Sequence, residues 1–231
     1  MEDHPLYSPD QDTMIQKMAR LPLVEQPGKT WLYGMSTDVL GALVERVSGR
    51  SLGQFFSEEI FAPLEMNDTF FRVPDAKISR FASSYGPELE LVDSATESAY
   101  RNPNRHQSGG GGLVSTAEDY LRFCTMLLNG GTLDEHRILQ AETVAAMTTN
   151  QLPSGVYAHQ VDGFGLGVKG RLQDRGHHAH QGQYGWNGVA STHFFVSPRD
   201  KIVFIALSQR QPFSPQLRRV LTPLVYQSLS E

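Results

Sequence analysis

Residues 184–208 read Tyr184-Gly185-Trp186-Asn187-Gly188-Val189-Ala190-Ser191-Thr192-His193-Phe194-Phe195-Val196-Ser197-Pro198-Arg199-Asp200-Lys201-Ile202-Val203-Phe204-Ile205-Ala206-Leu207-Ser208. Three extended runs lie in this stretch, at 184–189, 191–196 and 202–208. They are rich in β-branched and aromatic residues and bounded by turn residues. Ser197-Pro198-Arg199-Asp200 is a turn, so the last two runs should pair as an antiparallel hairpin. A shorter strand is expected at 164–169. Downstream, Leu217, Val220, Leu221, Leu224 and Val225 recur at helical spacing and predict a closing helix, strained at Pro223.

Upstream the period is helical. Met14, Ile15 and Met18 share one face of a short helix at 12–20, with Asp10 and Asp12 at its start and Lys17 and Arg20 near its end. Ser36 or Thr37 can cap a second helix whose apolar stripe is Val39, Leu40, Leu43, Val44 and Val47, with Gly49 as the stop. A third starts at Ser51, carries Phe55, Phe56 and Ile60, and ends at Pro63. Residues 72–112 lack periodicity, are rich in Ser, Pro, Asn and Gly, and read as an irregular excursion with one hairpin around Gly86. Ser115 and Glu118 form a capping-box pattern ahead of a helix carrying Tyr120, Leu121, Cys124, Leu127 and Leu128 inward to Gly130-Gly131. Another helix is expected at 141–149. Helices first, an antiparallel meander later and a closing helix make an α+β pattern. It reads as one domain over 1–231, helical and loop-rich to about residue 160, stranded beyond.

Composition narrows the function. The 231 residues carry 20 Lys+Arg against 25 Asp+Glu, a formal charge of −5, and no basic run, which argues against a nucleic-acid groove. Charged residues are 19%, too few for a charged tail or a coiled coil. No apolar run is long enough to cross a membrane. Cys124 is the only cysteine, so neither an internal disulfide nor a cysteine zinc site can form. Residues 1–12 lack the apolar stretch of a signal peptide, and a cytoplasmic location is the expectation.

His177, His178 and His180 could gather a divalent metal, but no carboxylate stands at helical spacing, and a solvated loop before a strand is the plainer reading. No metal and no cofactor are expected. His193 reads as a structural strand residue and Cys124 as a buried, inert thiol. There is no Gly-x-Ser-x-Gly elbow and no phosphate loop, since the glycines at 109–112 lack a Lys-Ser/Thr ending. Two segments stand out. Tyr33 sits just before the helix that starts near Ser36, where a phenol can project into a cleft or serve as a core aromatic. Gly185-Trp186-Asn187-Gly188-Val189 places glycines beside an aromatic, which lets a backbone N–H approach a ligand and hold an oxyanion.

Taken together, these segments carry a resemblance. Pro27-Gly28-Lys29-Thr30-Trp31-Leu32-Tyr33 is followed by Asp38-Val39-Leu40-Gly41 and by Ile60-Phe61-Ala62-Pro63-Leu64-Glu65-Met66-Asn67-Asp68-Thr69. Residues 109–116 lead to Leu127-Leu128-Asn129-Gly130-Gly131. Phe164-Gly165-Leu166-Gly167 and Gly185-Trp186-Asn187-Gly188 complete the order. The chain so resembles the serine hydrolases related to class C beta-lactamases and DD-peptidases, and most closely the family VIII carboxylesterases. The resemblance implies a beta-lactamase-like antiparallel sheet flanked by helices. It implies Tyr33 as the tyrosine that relays a proton between serine, lysine and leaving group, and the Val189 N–H as half of the oxyanion hole. Trp186, Asn187 and Gly188 hold the third motif, as substrate-binding residues. Trp186 replaces the lysine of the beta-lactamases and Met35 an asparagine, so polar anchors for a lactam carboxylate are lost and a small-molecule ester is the implied substrate. Glu65 stands where a glycine is usual.

The family's first motif, Ser-x-x-Lys, does not occur; Ser98-Ala99-Tyr100-Arg101 comes nearest. The resemblance therefore implies that the chain begins after the nucleophile helix and lacks the N-terminal strands of the sheet. It also implies that a complementary N-terminal fragment would be needed for activity, and that an open sheet edge limits solubility. A phenol with pKa of about 10 is a poor base without a neighbouring cation, so no serine-hydrolase activity is expected of this stretch alone. Other readings are a non-catalytic small-molecule or protein binding module on the same fold, and a beta-lactamase or DD-peptidase activity in the complete protein.

Overall fold

Successive side chains of a strand point to opposite faces, so an unbroken apolar run fits a strand covered on both sides. The run at 194–196 is of that kind, and its burial extends to the polar residues on either side. In the computed structural model, which describes residues 4–103, 106–158, 162–176 and 179–229, His193–Ser197 is buried at every position.

The chain opens with helix α1 (Gln11–Met18), capped by the Asp10 carboxylate accepting from the Thr13 N–H at 2.7 Å. Helix α2 (Ser36–Ser48) follows, then α3 (Leu52–Phe56), which runs into a π-turn at Ser57–Phe61. A small hairpin pairs β1 (Ser84–Tyr85) with β2 (Leu91–Asp93) around Gly86, as expected. Helix α4 (Ala117–Leu128) leads to a second small hairpin, β3 (Thr132–Leu133) with β4 (His136–Arg137), and then to α5 (Ala141–Thr148). Five antiparallel strands make the main sheet in the order β5 (Asp162–Phe164), β6 (Lys169–Arg171), β7 (Tyr184–Asn187), β8 (His193–Ser197), β9 (Ile202–Ala206). Helix α6 (Gln216–Ser228) closes the chain; Pro223 inside it cannot donate to the preceding turn.

The alternation along β8 assigns the layers. Phe194 turns to α4, its ring 5.0 Å from that of Tyr120, and joins a core with Leu64, Met126, Leu127, Tyr184 and Val196. Phe195 turns to α6, stacked on Tyr226 at 5.7 Å and on Phe204 at 5.1 Å. The hairpin at Ser197-Pro198-Arg199-Asp200 forms as read, with Ser197 opposite Ile202. Beyond β9 no further strand pairs among the described residues.

Several local readings need correction. Residues 164–169 are not a strand but the loop of a hairpin, whose ends pair as Phe164 with Lys169. Gly165 cannot carry a side chain there, because a Cβ would lie 1.9 Å from the Met147 carbonyl oxygen. Neither Ser36 nor Thr37 caps α2; Met35 holds that position without a side-chain bond. Thr116, not Ser115, caps α4 through the Asp119 N–H, because the Ser115 hydroxyl is engaged with that of Thr69 at 2.8 Å. Leu121 faces solvent at 46% exposure, and Met126 fills the core in its place. The largest departure is the stripe on α2. Leu40, Leu43 and Val47 are 56, 55 and 79% exposed, and the helix buries Asp38 and Gly41 instead. No described element covers that stripe, so its helical period is real and its burial is not.

Candidate active site

The two segments singled out in the sequence meet in space. Trp186, on the α4 side of β7, has its ring 5.6 Å from that of Tyr33 and 5.5 Å from that of Phe164. Trp31 closes the cluster, 6.4 Å from Tyr33 and 5.1 Å from Phe164. Four aromatic rings thus form one wall in offset and edge-on contacts. Tyr33 is 69% exposed, so its phenol lies at the surface of this wall and is not a core aromatic.

The turn after β7 carries the backbone donor. The Gly188 N–H donates to the Thr192 carbonyl at 3.0 Å and the Ser191 N–H to that of Gly188 at 3.1 Å. That tight loop leaves the Val189 N–H without a hydrogen-bond acceptor among the described residues, and Val189 is 66% exposed. Backbone requires glycine at the first end of this motif, and the Thr192 side chain crowds the second. A Cβ on Gly188 would lie 2.2 Å from Thr192 Oγ1, and one on Gly185 would lie 2.2 Å from the Phe194 carbonyl oxygen. Asn187 alternates to the opposite face from Trp186, where its Oδ1 is 3.0 Å from His193 Nδ1. Its side chain therefore serves the strand behind the aromatic wall.

The helix that follows the Tyr33 loop is anchored by a contact that sequence reading missed. Asp38, 3% exposed, accepts from the Ser108 hydroxyl and from the Gly110 N–H at 3.2 Å. That clamp seats the glycines at 109–112 on the first turn of α2, so close that a Cβ on Gly109 would lie 2.3 Å from the Thr37 carbonyl oxygen. The excursion of 72–112 thereby returns to the base of the Tyr33 loop. An acid in the first turn of a helix reads as a macrodipole partner; its second duty to a distant glycine run has no local signal.

Burial governs the titration of His193 and Cys124. It pushes the His193 imidazole down to about 4, so this ring is neutral at pH 7 and structural. Burial likewise pushes the Cys124 thiol up to about 12, which keeps it protonated and inert. Of the three-histidine loop, His177 and His178 lie outside the described residues. His180 directs Nδ1 to Asp200 at 2.8 Å. Among the described residues no three His, Cys, Asp or Glu side chains gather as a metal site. No helix among them is long and apolar enough to cross a membrane.

An antiparallel sheet between α4 and α6, with a tyrosine loop against the Trp-Asn-Gly strand, defines a beta-lactamase/DD-peptidase-like fold. Simvastatin synthase (LovD) of Aspergillus terreus shares that fold, with a TM-score of 0.79 at 23% identity over 94% of this chain and 60% of that one. The Beta-lactamase family model matches residues 1–226, and the chain belongs to that family. Protein Rv1367c of Mycobacterium tuberculosis is 32% identical over 216 residues, 87% of this chain and 54% of that protein. Esterase EstB of Burkholderia gladioli is 29% identical over 211 residues, 81% of this chain and 51% of the esterase. The chain spans about half the length of these curated relatives.

Proposed function

We propose that these residues form the acid–base and oxyanion side of an ester-hydrolysing site. In it, Tyr33 would exchange a proton with the nucleophile and the leaving alcohol. The Val189 N–H would donate to the carbonyl oxygen as negative charge builds on it. The attacking serine hydroxyl would add to the ester carbonyl, the alcohol would leave with a proton, and water would release the acid from the acyl-enzyme. The observation that carries this reading is the tilted contact of the Tyr33 ring with that of Trp186, three residues ahead of a backbone donor unengaged among the described residues. The wall of Trp31, Phe164 and Trp186 is apolar and suits an uncharged acyl or alcohol group. Asn187 contributes through the strand and Gly188 through the turn.

No Ser-x-x-Lys occurs within the 231 residues, so the nucleophile and its lysine would come from elsewhere in the complete protein. Losing one oxyanion donor alone costs about 100- to 1000-fold in rate, and losing the nucleophile costs more. The test uses a fluorophosphonate probe and a short-chain nitrophenyl ester. The 231-residue chain should show no stoichiometric serine labelling. A protein of the relatives' length carrying this sequence should label, and Tyr33→Phe in it should lower kcat about 100-fold or more with little change in KM. Stoichiometric labelling of the 231-residue chain would refute the absent nucleophile. An unlabelled, inactive longer protein that still binds esters at the aromatic wall would make this a binding module.

A further inference from the structure

The reverse face of the sheet holds a second concavity, between α6 and strands β6 to β8, of about 400 Å³. It is bordered by Lys169, Arg171 and Arg175 from the sheet side and by Arg218, Arg219 and Thr222 from the helix. Of these five cations, three share one carboxylate and two have no ion pair among the described residues. Asp162, 4% exposed at its side chain, takes Arg171 at 2.7 Å, Lys169 at 3.4 Å and Arg175 at 3.4 Å. Neither guanidinium on the helix has a hydrogen bond or ion pair among the described residues. Thr222 is 7% exposed, and its hydroxyl has no hydrogen-bond partner among the described residues. A buried hydroxyl without a partner and several clustered cations with one counter-charge are both costly arrangements in a folded protein. Each cost is relieved by the same object: an oxyanion that accepts from the hydroxyl and balances the charge.

We propose that this cavity binds a small multivalent oxyanion of the phosphate or diphosphate class, held between Arg218 on α6 and Lys169 and Arg171 on β6, with the Thr222 hydroxyl as a neutral donor. Guanidinium and ammonium groups suit such a ligand by geometry and by charge, and the cavity is of a size that takes a small molecule. The electrostatics agree. Burial, then the neighbouring Arg171, lowers the proton affinity of both Lys169 and Arg218, as in a site short of negative charge. Trp186 and Asn187 also border the cavity, but Lys169, Arg171, Arg218 and Thr222, which would hold the anion, take no part in the ester-hydrolysing reading.

Pyrophosphate titrated into the 231-residue chain, followed by calorimetry and by thermal melting, tests the proposal. Saturable binding at one site with a rise in Tm is expected, beyond what chloride gives at equal ionic strength. Orthophosphate should bind the same site more weakly. Arg218→Gln should weaken pyrophosphate about tenfold or more, Thr222→Val by less, and Arg199→Gln, an exposed charge paired with Asp174, not at all. Without ligand, Arg218→Gln should melt no lower than the parent, since it removes like-charge repulsion. Three results would overturn the proposal. One is non-saturable binding that chloride reproduces. Another is equal affinity in Arg218→Gln. The third is an acidic peptide that binds in an Arg218-dependent way where pyrophosphate does not, which would make the cavity a protein-docking face.

Discussion

Strand β8 and helix α2 are both apolar segments of regular period, and the fold treats them oppositely. All five residues of His193–Ser197 are buried, whereas Leu40, Leu43 and Val47 on α2 stand more than half exposed. Amphipathic or apolar pattern is the same kind of signal in both. The difference lies in the second surface: β8 is sandwiched by Tyr120 and Tyr226, whereas α2 meets α1, α3 and the glycine run with its other faces and leaves this stripe uncovered by any described element. Burial is a property of a pair of surfaces, so a period in one of them predicts only the readiness to be covered.

The sharpest way to break this contrast is to truncate the packed side. Phe195 is fully buried between Phe204 and Tyr226. Phe195→Ala should cost about 3–5 kcal/mol of unfolding free energy in urea, from lost apolar contact and the cavity left behind. A loss below 1 kcal/mol would mean that the sheet and α6 are not packed as described.

His193 sharpens the same side through pH. Its folded pKa of about 4 lies below the usual value of about 6.5, so the unfolded chain takes up the proton first as pH falls. The contribution is fully present above about pH 6.5 and is lost progressively toward pH 4, by up to about 3 kcal/mol. Melting curves at pH 7 and pH 4.5 should show a smaller drop for His193→Gln than for the parent, whose carboxylates contribute equally to both.

On the buried side of α2, Asp38→Ala removes the acceptor of the Ser108 hydroxyl and the Gly110 N–H. A loss of about 1–3 kcal/mol is expected, together with faster amide exchange at residues 109–112. Exchange unchanged there would show that the glycine run is held by something else. The smallest effect is expected on α2. Leu43→Ser should change stability by less than about 0.5 kcal/mol, as exposed positions do. A fall comparable to that of Phe195→Ala would show that this face is covered in solution, and the contrast would collapse.

The local features were the most readable in sequence. The hairpin at Ser197-Pro198-Arg199-Asp200, the hairpin around Gly86 and the glycine stop of α2 depend on neighbours a few residues apart, and all are found. Tyr33 and Trp186 were legible as site candidates through their motifs, and their rings are in contact. What was missed depends on distant partners. Trp31 and Phe164 complete the aromatic wall, Asp38 clamps residues 109–112, and the cations of β6 confront those of α6. The misassigned strand at 164–169 fell to the same cause, since the Leu166 N–H donates to the distant Met147 carbonyl, which leaves no room for a Cβ on Gly165. Even the cap of α4 moved by one residue because Thr69 drew Ser115 away.

By itself the sequence determined the membership of a beta-lactamase-related family, the α+β order of elements and the chemical character of its conspicuous segments. These follow from residue order and short-range sterics, which every local stretch of chain carries with it. The tertiary structure alone decided which apolar stripe is buried, which face of β7 each side chain occupies and where charge accumulates without compensation. Those outcomes depend on which surfaces meet, and hydrophobic and electrostatic free energies are assigned only when two surfaces exclude water between them.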